Sequence, residues 1–537
     1  MGEILHRPGP GRDFRQRSRF PVRMPITPWL GVLCLTAVAV TSAFAPPAHA
    51  ERVTVVDGAR VHQVEDPFVP PRDETTLGAA PGRPQIRAVP SSRGSSAVTR
   101  ALKRAFTRKA ITRENYTAYR STYARTRSTA RRLRGARKRE LSYVLGSLER
   151  IALRRRLTAS RMPALFLQLR RNRSYWPSKP FPADGDQVTF RGSEILFEYF
   201  SGRGLQIHPL SNFKKANNLH GACSKGGRPG KPVCGATPPG PRAGTPCRPA
   251  RLRRLLDELT GLAVQRGKSF IAWEYNFDFG GGSPPWMSGM AQATGIVALA
   301  RAARLLQRPD YNTTAAAALG AFETGSPTGV RARGPMGGTH YLQYSFAPRL
   351  YIFNAFFQSL IGLYDYGRLN KDPRATALFQ QAEPEARKEV PFSSVGDWSR
   401  YSFRGRESTQ EYHELLREVL QGLGRRLGVT GIYCDYATRY RGYQTDPPKL
   451  VFRGPAEAAK KRLTRVRFSL SKLSLVEVRV LKGRKQVFTR LATFRQGGRS
   501  VGWRPKSAGA YKVRISAREL RTGRSLRGRT SATVTVR

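Results

Sequence analysis

The chain has 537 residues, of which 94 are Lys or Arg and 36 are Asp or Glu, so its formal net charge is +58. With 39% hydrophobic and 10% aromatic residues it is too apolar for a disordered polycation, and its length is enough for two or three domains. A surface this basic attracts polyanions, and the candidate partners are nucleic acid, an anionic membrane or envelope polymer, and acidic polysaccharide.

Residues 1–50 have the layout of a secretory signal peptide. Basic residues precede the apolar run in MPITPWLGVLCLTAVAVTSAFAPPAHAER, and the run ends at the small-residue triplet from Ala48 to Ala50. We expect cleavage after Ala50, with Met24 as an alternative start of translation. The apolar run is short and contains Thr, Ser and Pro, so no stable membrane span is expected after cleavage. Export argues against a nucleic-acid partner.

The next two regions differ in composition. Residues 51–97 are predicted to form a disordered linker, because the stretch from 66 to 96 is rich in Pro, Gly and Ser. Residues 98–250 are predicted to form a basic helical region with a small β element between Gln187 and Leu210, where short alternating runs are separated by glycines. The apolar face of one of its helices contains Leu141, Val144, Leu145, Leu148 and Ile151.

A disulfide loop is predicted at the end of this region. The polar stretch SNFKKANNLHGAC and the Gly/Pro-rich segment after it are expected to form a stapled loop. Four cysteines follow the signal peptide, and an even number in an oxidising compartment predicts two disulfides with three alternative pairings among Cys223, Cys234, Cys247 and Cys434. Zinc is the competing interpretation, but the spacing contains no CxxC pair and the intervening SKGGRPGKPV has no histidine, so no metal site is expected.

Residues 251–430 return to helical patterning. Segments such as LRRLLDELTGLAVQRG, MAQATGIVALARAARLLQ and QEYHELLREVLQGLGRRLG indicate antiparallel helical hairpins, as in an α/α toroid. Residues 451–537 change to period two with Gly-containing turns, as in RVRFSLS and AYKVRISARE, which predicts an immunoglobulin-like β-sandwich. The predicted fold is mainly α: a toroid-like helical domain, with a small β element before it and the sandwich after it.

Two blocks inside the helical region resemble one known family. In the first, Pro285 and Trp286 lead into the run from Ser288 to Gln292 (SGMAQ). The second is FNAFFQSLIGLYDY, residues 353–366. In this order and at this separation they resemble the C-terminal domain of D-glucuronyl C5-epimerases, over roughly residues 270–428.

The resemblance implies inversion at C5 of a uronic acid residue in a polysaccharide. A weakly acidic C–H beside a carboxylate loses its proton on one face and receives another on the opposite face. This requires a base, an acid, and groups that neutralise the developing enediolate. Proton exchange needs no redox cofactor, and the sequence has no GxGxxG after a strand, no P-loop and no HExxH. No cofactor is therefore expected.

Members of this family use tyrosines in acid/base roles near the substrate. Carried over by position, these are Tyr344 in YLQYSFAP, Tyr401 in DWSRYSF and Tyr412 in EYHELL. His340 is a further acid/base candidate, because a neutral imidazole titrates near the working pH. Tyrosine in water titrates near about 10, so a tyrosine base needs cations nearby. The expected sources are Arg349, Arg400, Arg404 and Arg406.

Substrate contacts are predicted around the two blocks. Trp286 is expected to stack on a pyranose ring, and the helix N-terminus at Ser288 to offer unpaired N–H groups to an anion. The alternative, in which Trp286 closes the end of the helical core, is equally open. The other predicted substrate-binding residues are Gln292, Gln343, Arg349, Asn354, Arg404, Arg406 and His413.

One position departs from the family pattern. Better-known members have a glutamate before the first tyrosine, where this chain has Gln343, and a glutamine can orient a group but cannot accept a proton. Glu274, Asn276 and Asp278 alternate on one predicted strand edge, which is unlike the opposed carboxylates of glycoside hydrolases.

The sequence thus favours an exported C5-epimerase-like protein whose partner is an acidic, uronate-containing polysaccharide. A polysaccharide lyase would share the first proton abstraction and then expel the C4 substituent. A non-catalytic binder of acidic envelope polymer is the third interpretation, which Gln343 keeps open. Homodimerisation is implied by the resemblance only.

Overall fold

The computed structural model describes residues 51–72, 89–224, 234, 245–267, 269–428, 431–526 and 530–537. The predicted signal peptide, residues 1–50, lies outside these ranges, as does the stretch 73–88 of the predicted linker. Among the described residues, no helix combines the length and the apolar character needed to cross a membrane.

A five-stranded sheet begins the described chain. Its strand order is β2-β1-β3-β4-β5, with β1 and β3 parallel and the other neighbours antiparallel. The linker prediction is wrong for the first two strands, because Val53 and Val56 bury their side chains against the rest of the protein; the Pro-rich composition that suggested a linker starts only near residue 66. The strands are β1 (Glu51–Asp57), β2 (Arg60–Asp66), β3 (Gln187–Phe190), β4 (Phe197–Phe200) and β5 (Gly204–Ile207).

In the described residues between the second and third strands lie the helices α1 (Ser92–Thr107), α2 (Arg113–Arg132), α3 (Gly135–Leu153) and α4 (Met162–Tyr175). Ser91 and Thr112 cap the first two helices by accepting hydrogen bonds from backbone N–H groups. The predicted apolar face lies on α3 and is buried along its whole length, whereas many of the arginines on these helices remain exposed.

The central region contains the remaining described helices. Eight of them form four pairs, each made of two helices that follow one another in the chain and pack together. The described helices of this region are α5 (Pro209–Cys223), α6 (Pro249–Gly261), α7 (Gly289–Leu305), α8 (Asp310–Ala318), α9 (Gly320–Glu323), α10 (Phe353–Asn370), α11 (Pro373–Glu389), α12 (Gln410–Leu427) and α13 (Ile432–Thr445). The pairs are α5/α6, α7/α8, α10/α11 and α12/α13. In addition α7 packs between α5 and α10, and α10 packs against α12, so the first members of the pairs form a row.

The polar stretch SNFKKANNLHGAC is helix α5 and not the loop that its composition predicted. His208 caps this helix, since its Nδ1 accepts a hydrogen bond from Ser211 N at 3.2 Å. Phe213, Ala216 and Leu219 then bury an apolar face at helical spacing. The polar residues that dominate the composition lie on the other faces of the helix.

Two glycines allow the row of helices to pack closely. A Cβ on Gly362 of α10 would lie 2.6 Å from Ala293 Cβ of α7, and a Cβ on Gly295 of α7 would lie 2.8 Å from the ring of Phe213 on α5. Both distances are too short for real side chains, so a larger residue at either position would push neighbouring helices apart.

Two short hairpins connect the helices and lead into the segments that carry the predicted site. They are β6 (Val264–Arg266) with β7 (Phe270–Ala272), and β8 (Arg331–Arg333) with β9 (Thr339–Tyr341). Two disulfides are present, as predicted: Cys223 pairs with Cys247 and Cys234 with Cys434. Two disulfides fit an oxidising compartment.

The C-terminal region is rich in strands, as predicted. Its two sheets have the orders β10-β12-β15 and β11-β17-β16-β13-β14, and their inward residues form a separate hydrophobic core. On β13 the buried residues Val476, Val478 and Val480 alternate with more exposed ones. The strands are β10 (Leu450–Gly454), β11 (Glu457–Ala458), β12 (Thr464–Leu470), β13 (Ser474–Lys482), β14 (Lys485–Phe494), β15 (Gly497–Trp503), β16 (Gly509–Glu519) and β17 (Thr530–Val536).

Candidate active site

Three tyrosines from separate segments meet at one end of the row of helices. Tyr344 follows β9, and Tyr412 lies in the first turn of α12. Tyr401 lies in residues 394–408, where one antiparallel bridge joins Ser394 to Ser399 and the next joins Arg400 to Glu407. We call this segment the Tyr401 hairpin, with the residues before Tyr401 as its first arm and those after it as its second. The ring centroids of Tyr401 and Tyr412 are 4.9 Å apart, with their planes at 66°. Tyr344 lies close enough to both for their charges to act on its pKa. The structure therefore brings the three predicted tyrosines together.

Tyr344 is the most enclosed of the three. Its ring contacts Phe279, Trp286 and Phe346, with centroid distances of 5.6, 5.7 and 5.5 Å, and only 2% of the residue is exposed. Within the described ranges its hydroxyl has no partner in hydrogen-bond geometry, although the Tyr401 hydroxyl is close enough to influence it. A buried hydroxyl without a partner is unfavourable, so a ligand that supplied one would be stabilised here.

Burial keeps Tyr344 and Tyr401 neutral. It raises the pKa of Tyr344 well above its usual value, and Tyr401 and Tyr412 raise it further. Burial also raises the pKa of Tyr401 to about 12, against an opposing contribution from Tyr344. The expectation that nearby cations poise a tyrosine for ionisation is wrong for Tyr344 and Tyr401, because burial raises the pKa of both. A neutral tyrosine can donate a proton, and one with a high pKa is a strong base once it is ionised.

The predicted arginines lie around the Tyr401 hairpin and face solvent. Arg349, Arg404 and Arg406 are exposed, so water screens their effect on the phenols. Arg400 donates a hydrogen bond from Nη1 to Gly405 O at 3.2 Å, and Arg404 lies at the turn, with φ of 56° and its guanidinium 5.5 Å from the ring centroid of Phe403. These positive charges are available to a ligand that approaches the hairpin.

The helix N-terminus predicted to bind an anion is already satisfied. Ser288 Oγ accepts a hydrogen bond from Ala291 N at 3.2 Å, and Gly289 N donates to Leu342 O at 3.0 Å. Gln292 is also internal, because its amide makes two hydrogen bonds, of 3.0 and 2.9 Å, with the backbone of Trp273. Ser288 and Gln292 are fully buried, so they shape the site and do not present themselves to substrate.

Trp286 packs inside the protein, which decides between the two sequence interpretations. Its ring lies parallel to Tyr275 at 4.2 Å, and its Nε1 donates a hydrogen bond to Phe277 O at 2.7 Å. One face of the indole is therefore covered by an aromatic ring, and only 1% of the residue is exposed. Trp286 closes the end of the helical core and belongs to the aromatic cluster around Tyr344, so the predicted stacking on a sugar is wrong for this conformation.

Gln343 and Asn354 lie beside the tyrosines. Gln343 Oε1 accepts a hydrogen bond from Ser288 Oγ at 3.2 Å, which fixes the residue immediately before Tyr344. Asn354, near the start of α10, is 6% exposed, and its Oδ1 has no hydrogen-bond partner in the described part of the chain. Gln343 therefore orients the segment, and Asn354 offers an unused acceptor next to the site.

Neither predicted histidine faces the tyrosines as a solvent-accessible group. His413 stacks on Trp398 at 3.7 Å, and its two nitrogens contact Ser399 Oγ at 2.8 Å and Tyr440 O at 3.0 Å. His340 is fully buried, and its Nδ1 lies 2.9 Å from Glu389 Oε1. Burial lowers the pKa of His340 to about 3 and that of His413 to about 4.

These histidine environments do not suit the predicted roles. Burial and the neighbouring Glu385 raise the pKa of Glu389 to about 10, so the His340–Glu389 pair is uncharged near neutral pH. His340 is sealed in the core and His413 has both nitrogens engaged. The acid/base assignment of His340 and the substrate contact of His413 are therefore corrected to internal packing and hydrogen-bonding positions.

The acidic residues of WEYNFDF are bound to arginines. Glu274 accepts two hydrogen bonds from Arg161, at 2.7 and 2.8 Å, and forms an ion pair with Arg266. Although burial opposes it, these guanidinium groups keep the pKa of Glu274 below its usual range. Asp278 accepts from Arg150 Nη2 at 2.5 Å and Tyr143 Oη at 2.8 Å. The two carboxylates are structural and do not flank an open cleft.

A long cleft leads away from the tyrosines, here called the arginine groove. It comprises a cavity of about 330 Å³ and an adjoining one of about 540 Å³, which share Arg301, Asp365, Arg425 and Arg426. The walls come from α5, α7, α10 and α12. Basic residues predominate among its charged groups, which are Lys214, Arg301, Arg304, Asp365, Arg368, Glu418, Arg425 and Arg426.

The groove has a direction. Met290 and Leu415 line one end and pack in the cluster that contains Tyr344 and Tyr401. On α7, α10 and α12 the residue numbers rise from that end towards the basic end, so the three helices run the same way and their last turns carry the arginines. From Leu415 to Arg425 the distance along α12 is about 15 Å at the helical rise.

Sequence reasoning missed this groove. No single helix of the groove shows an unusual cluster of basic residues. The signal was the placement of basic residues in the last turns of several separate helices, at Arg304, Arg368, Arg425 and Arg426. Only the packing of α7, α10 and α12 side by side turns these separate ends into one surface.

Comparison with known proteins agrees with the geometry. Residues 266–442 match the family model described as D-glucuronyl C5-epimerase C-terminus. The chain is 25% identical over 191 residues to an uncharacterized protein of Methanocaldococcus jannaschii, covering 34% of this chain and 62% of that one. It is 35% identical over 105 residues to the D-glucuronyl C5-epimerase of Caenorhabditis elegans, covering 19% of this chain and 17% of that protein.

The matches therefore span less than two thirds of either relative. The family match contains all three tyrosines and both sequence blocks that suggested the resemblance. The resemblance is confirmed for residues 266–442, which match the model of the D-glucuronyl C5-epimerase C-terminus.

Proposed function

We propose that this protein is an exported C5-epimerase that acts on uronate residues of an acidic polysaccharide. The observation that carries the proposal is the meeting of Tyr344, Tyr401 and Tyr412 within the region that matches the epimerase family. An inversion needs two acid/base groups, because the proton leaves one face of the sugar and returns to the other. The three phenols supply more than one such group at a single place.

The phenols fit a demanding proton transfer. The C–H next to a uronate carboxylate is a very weak acid, so an effective base must have a high pKa. Burial provides such a pKa at Tyr401 and at Tyr344. The neutral tyrosine on the opposite face can supply the returning proton. Single Tyr→Phe variants test which of the three tyrosines acts as the base.

The carboxylate of the reacting sugar must also be neutralised. Arg404 at the turn of the Tyr401 hairpin, together with Arg349 and Arg406, supplies exposed positive charge around the site. The unused acceptor of Asn354 can receive a sugar hydroxyl. A uronate bound between the hairpin and α10 would exclude water, which strengthens these interactions.

The arginine groove supports a polymeric substrate. Its basic residues outnumber Asp365 and Glu418, and Asp365 is already paired with Arg301 at 3.2 Å and Arg426 at 2.6 Å. Arg304, Arg368 and Arg425 are exposed along the outer part of the groove. An acidic chain with its reacting sugar at the tyrosines can place further carboxylates along these residues, which makes polysaccharide a better substrate than a free sugar acid.

The finer fold assignments belong to the same proposal. The row formed by α5, α7, α10 and α12, each backed by the next helix, supports an α/α toroid-like domain. The two C-terminal sheets around one core support an immunoglobulin-like sandwich. The two disulfides support export to an oxidising compartment, either as a secreted or as an envelope-associated protein, and the net charge of +58 supports retention on acidic polymer.

Exchange of the C5 hydrogen with heavy water tests the function. The full protein is incubated in deuterium oxide with a panel of uronate polymers that differ in sugar and sulfation, and deuterium at C5 is measured by mass spectrometry and NMR. Deuterium at C5 without chain cleavage supports the epimerase. An unsaturated product that absorbs in the ultraviolet supports a lyase. Binding of the polymers without any exchange supports a non-catalytic binder.

A further inference from the structure

The C-terminal sandwich contacts the hairpin that carries Tyr401. We propose that Arg521, in the turn after β16, is a positioning residue that holds both arms of the Tyr401 hairpin and thereby sets the place of Tyr401 relative to Tyr412. The catalytic part of this inference rests on the proposed function, whereas the structural part does not.

One guanidinium joins the two arms of the hairpin. Arg521 Nη1 donates to Asp397 Oδ2 at 3.0 Å, and its Nη2 donates to Glu407 Oε2 at 2.7 Å. Asp397 precedes Tyr401 and Glu407 follows it, so the planar fork of the arginine spans the hairpin. Lysine, a single point charge, could not make both contacts in this geometry.

The contact is well enclosed. The Arg521 side chain is 13% exposed and that of Asp397 is 4% exposed. Asp397 Oδ2 also accepts a hydrogen bond from Leu473 N at 2.7 Å, at the beginning of β13. Two hydrogen bonds from the sandwich therefore converge on one carboxylate of the hairpin, and water competes little with them.

The position of Tyr401 follows from the hairpin register. Glu407 pairs with Arg400, the residue before Tyr401, and Tyr401 N donates to Arg406 O at 3.0 Å. On the other side Phe353 N donates to Tyr401 O at 3.3 Å. Because Arg521 binds one step from Tyr401 in this ladder, a shift of the arms would move the phenol against α10 and α12.

The same arginine reaches the second tyrosine through packing. Its guanidinium lies 5.2 Å from the ring centroid of Trp398, and Trp398 stacks on His413. His413 directly follows Tyr412 on α12. The stacked pair of Trp398 and His413 joins the hairpin to α12, and Arg521 packs on this pair. Arg521 therefore helps to hold the rings of Tyr401 and Tyr412 in contact.

The sandwich is itself anchored beside the hairpin. Lys472 Nζ donates to Tyr443 O at 2.7 Å near the end of α13, and Arg495 Nη1 donates to Glu407 Oε1 at 2.9 Å. Gln496 also donates to Val395 O in the first arm. The sandwich is therefore attached to the helical region at α13 and to the hairpin at several points, which is more than a spacer between the enzyme and a surface requires.

The test uses the full chain with Arg521→Gln, which keeps a polar end group but loses the charge, the fork and the reach of the guanidinium. Backbone amide hydrogen exchange, followed by mass spectrometry, should become about tenfold faster in residues 394–408 and stay unchanged in α7 and α10. The kcat for C5 exchange should fall about tenfold to a hundredfold, because misplacement of a reacting group by a fraction of an ångström has effects of this size. KM and the Kd for the polymer should change less than about twofold, since Arg521 lies outside the groove and makes no substrate contact.

Two further variants test whether the loss comes from the two-armed contact of Arg521 and not from the loss of a positive charge. Arg490→Gln removes the same charge from an exposed position on β14 and should change neither measurement. Arg521→Lys should recover only part of the kcat, because one ammonium replaces a two-armed contact. If Arg521→Gln does not fold, Asp397→Asn, which keeps an acceptor for Leu473 N, takes its place with the same expectations.

Unchanged amide exchange in residues 394–408 would overturn the proposal, and so would a loosened hairpin with full kcat. If the wild-type protein shows no C5 exchange on any polymer, the proposed function fails. The amide-exchange arm then still decides whether Arg521 holds the hairpin.

Discussion

The two ends of the arginine groove differ in residue type: one is aromatic and buried, and the other is basic and exposed. At one end buried aromatic residues surround phenols whose pKa values are raised by burial. At the other end, arginines in the last turns of three helices remain partly or fully exposed. In the proposed function, the first end holds the reacting phenols in a dry, fixed environment, and the second attracts an acidic polymer over long range, an attraction that water and salt weaken.

This difference predicts that the rate of C5 exchange and the binding of the polymer depend on different ends of the groove. Changes at the tyrosine end should alter rate with little effect on binding, and changes at the arginine end should alter binding with little effect on rate. Ion pairs already hold some charges in place, as Asp365 does with Arg301 and Arg426, so only the unpaired outer arginines are suitable for testing retention.

The largest expected effect comes from Tyr412→Phe. Removing the hydroxyl leaves the ring contact with Tyr401 in place but removes an acid/base group, so C5 exchange should fall by about 10²–10⁴-fold. Polymer Kd should stay within about twofold. Tyr436→Phe, a partly exposed tyrosine on α13 outside the cluster, is the matched control and should retain full exchange. Full turnover by Tyr412→Phe would remove this residue from the mechanism.

The pH dependence should follow from the raised pKa values. A base with a pKa of about 12, as at Tyr401, is almost wholly protonated near neutral pH, and its ionised fraction grows tenfold per pH unit. The rate of C5 exchange at saturating polymer should therefore increase about 100-fold between pH 7 and pH 9. The Kd for the polymer, measured at the same pH values, shows whether binding also changes with pH. A flat profile over that range would mean that the base is not a phenol with a raised pKa.

The sequence predicted the tyrosines and missed what surrounds them. The family motifs located Tyr344, Tyr401 and Tyr412 because local blocks identify positions in a chain. They did not reveal that Trp286 is covered by Tyr275 or that His413 uses both nitrogens, because these contacts join distant segments. The same limit explains α5, whose polar composition concealed an apolar face of three residues.

Residues 51–66 illustrate a related limit at the level of whole elements. Val53 and Val56 lie on β1, which pairs with the neighbouring β2, but the other three strands of the sheet lie more than a hundred residues later, so a local window does not show the surface that buries these two side chains. The alternating strands near the C-terminus were easier to predict, because each strand shows the two-residue period in its own sequence, whichever strand it pairs with.

A smaller effect is expected at the arginine end. Replacing Arg304 and Arg425 together by Gln should weaken binding of a long uronate polymer about tenfold, since each exposed charge contributes about 0.5–1 kcal/mol. The loss should shrink at high salt and be absent for the shortest oligosaccharide that is turned over. The kcat should be unchanged. Arg253→Gln with Arg254→Gln, two exposed positions on α6, removes the same charge elsewhere and should have a weaker effect. Equal losses from both double variants would mean that overall charge, and not the groove, holds the polymer.

The smallest expected effect concerns Gln343. Variants at this position test whether the residue before Tyr344 only orients that tyrosine or could act as a base. Gln343→Glu keeps an acceptor for Ser288 Oγ, so Tyr344 should stay in place and the rate of C5 exchange should change by less than about threefold, well under the effect of one lost hydrogen bond. Gln343→Leu removes that acceptor and should lower the free energy of unfolding by about 1 kcal/mol, measured by urea titration. A tenfold faster exchange in Gln343→Glu would contradict the orienting role, because it would show that this end of the groove lacks a base that a carboxylate beside Tyr344 can supply.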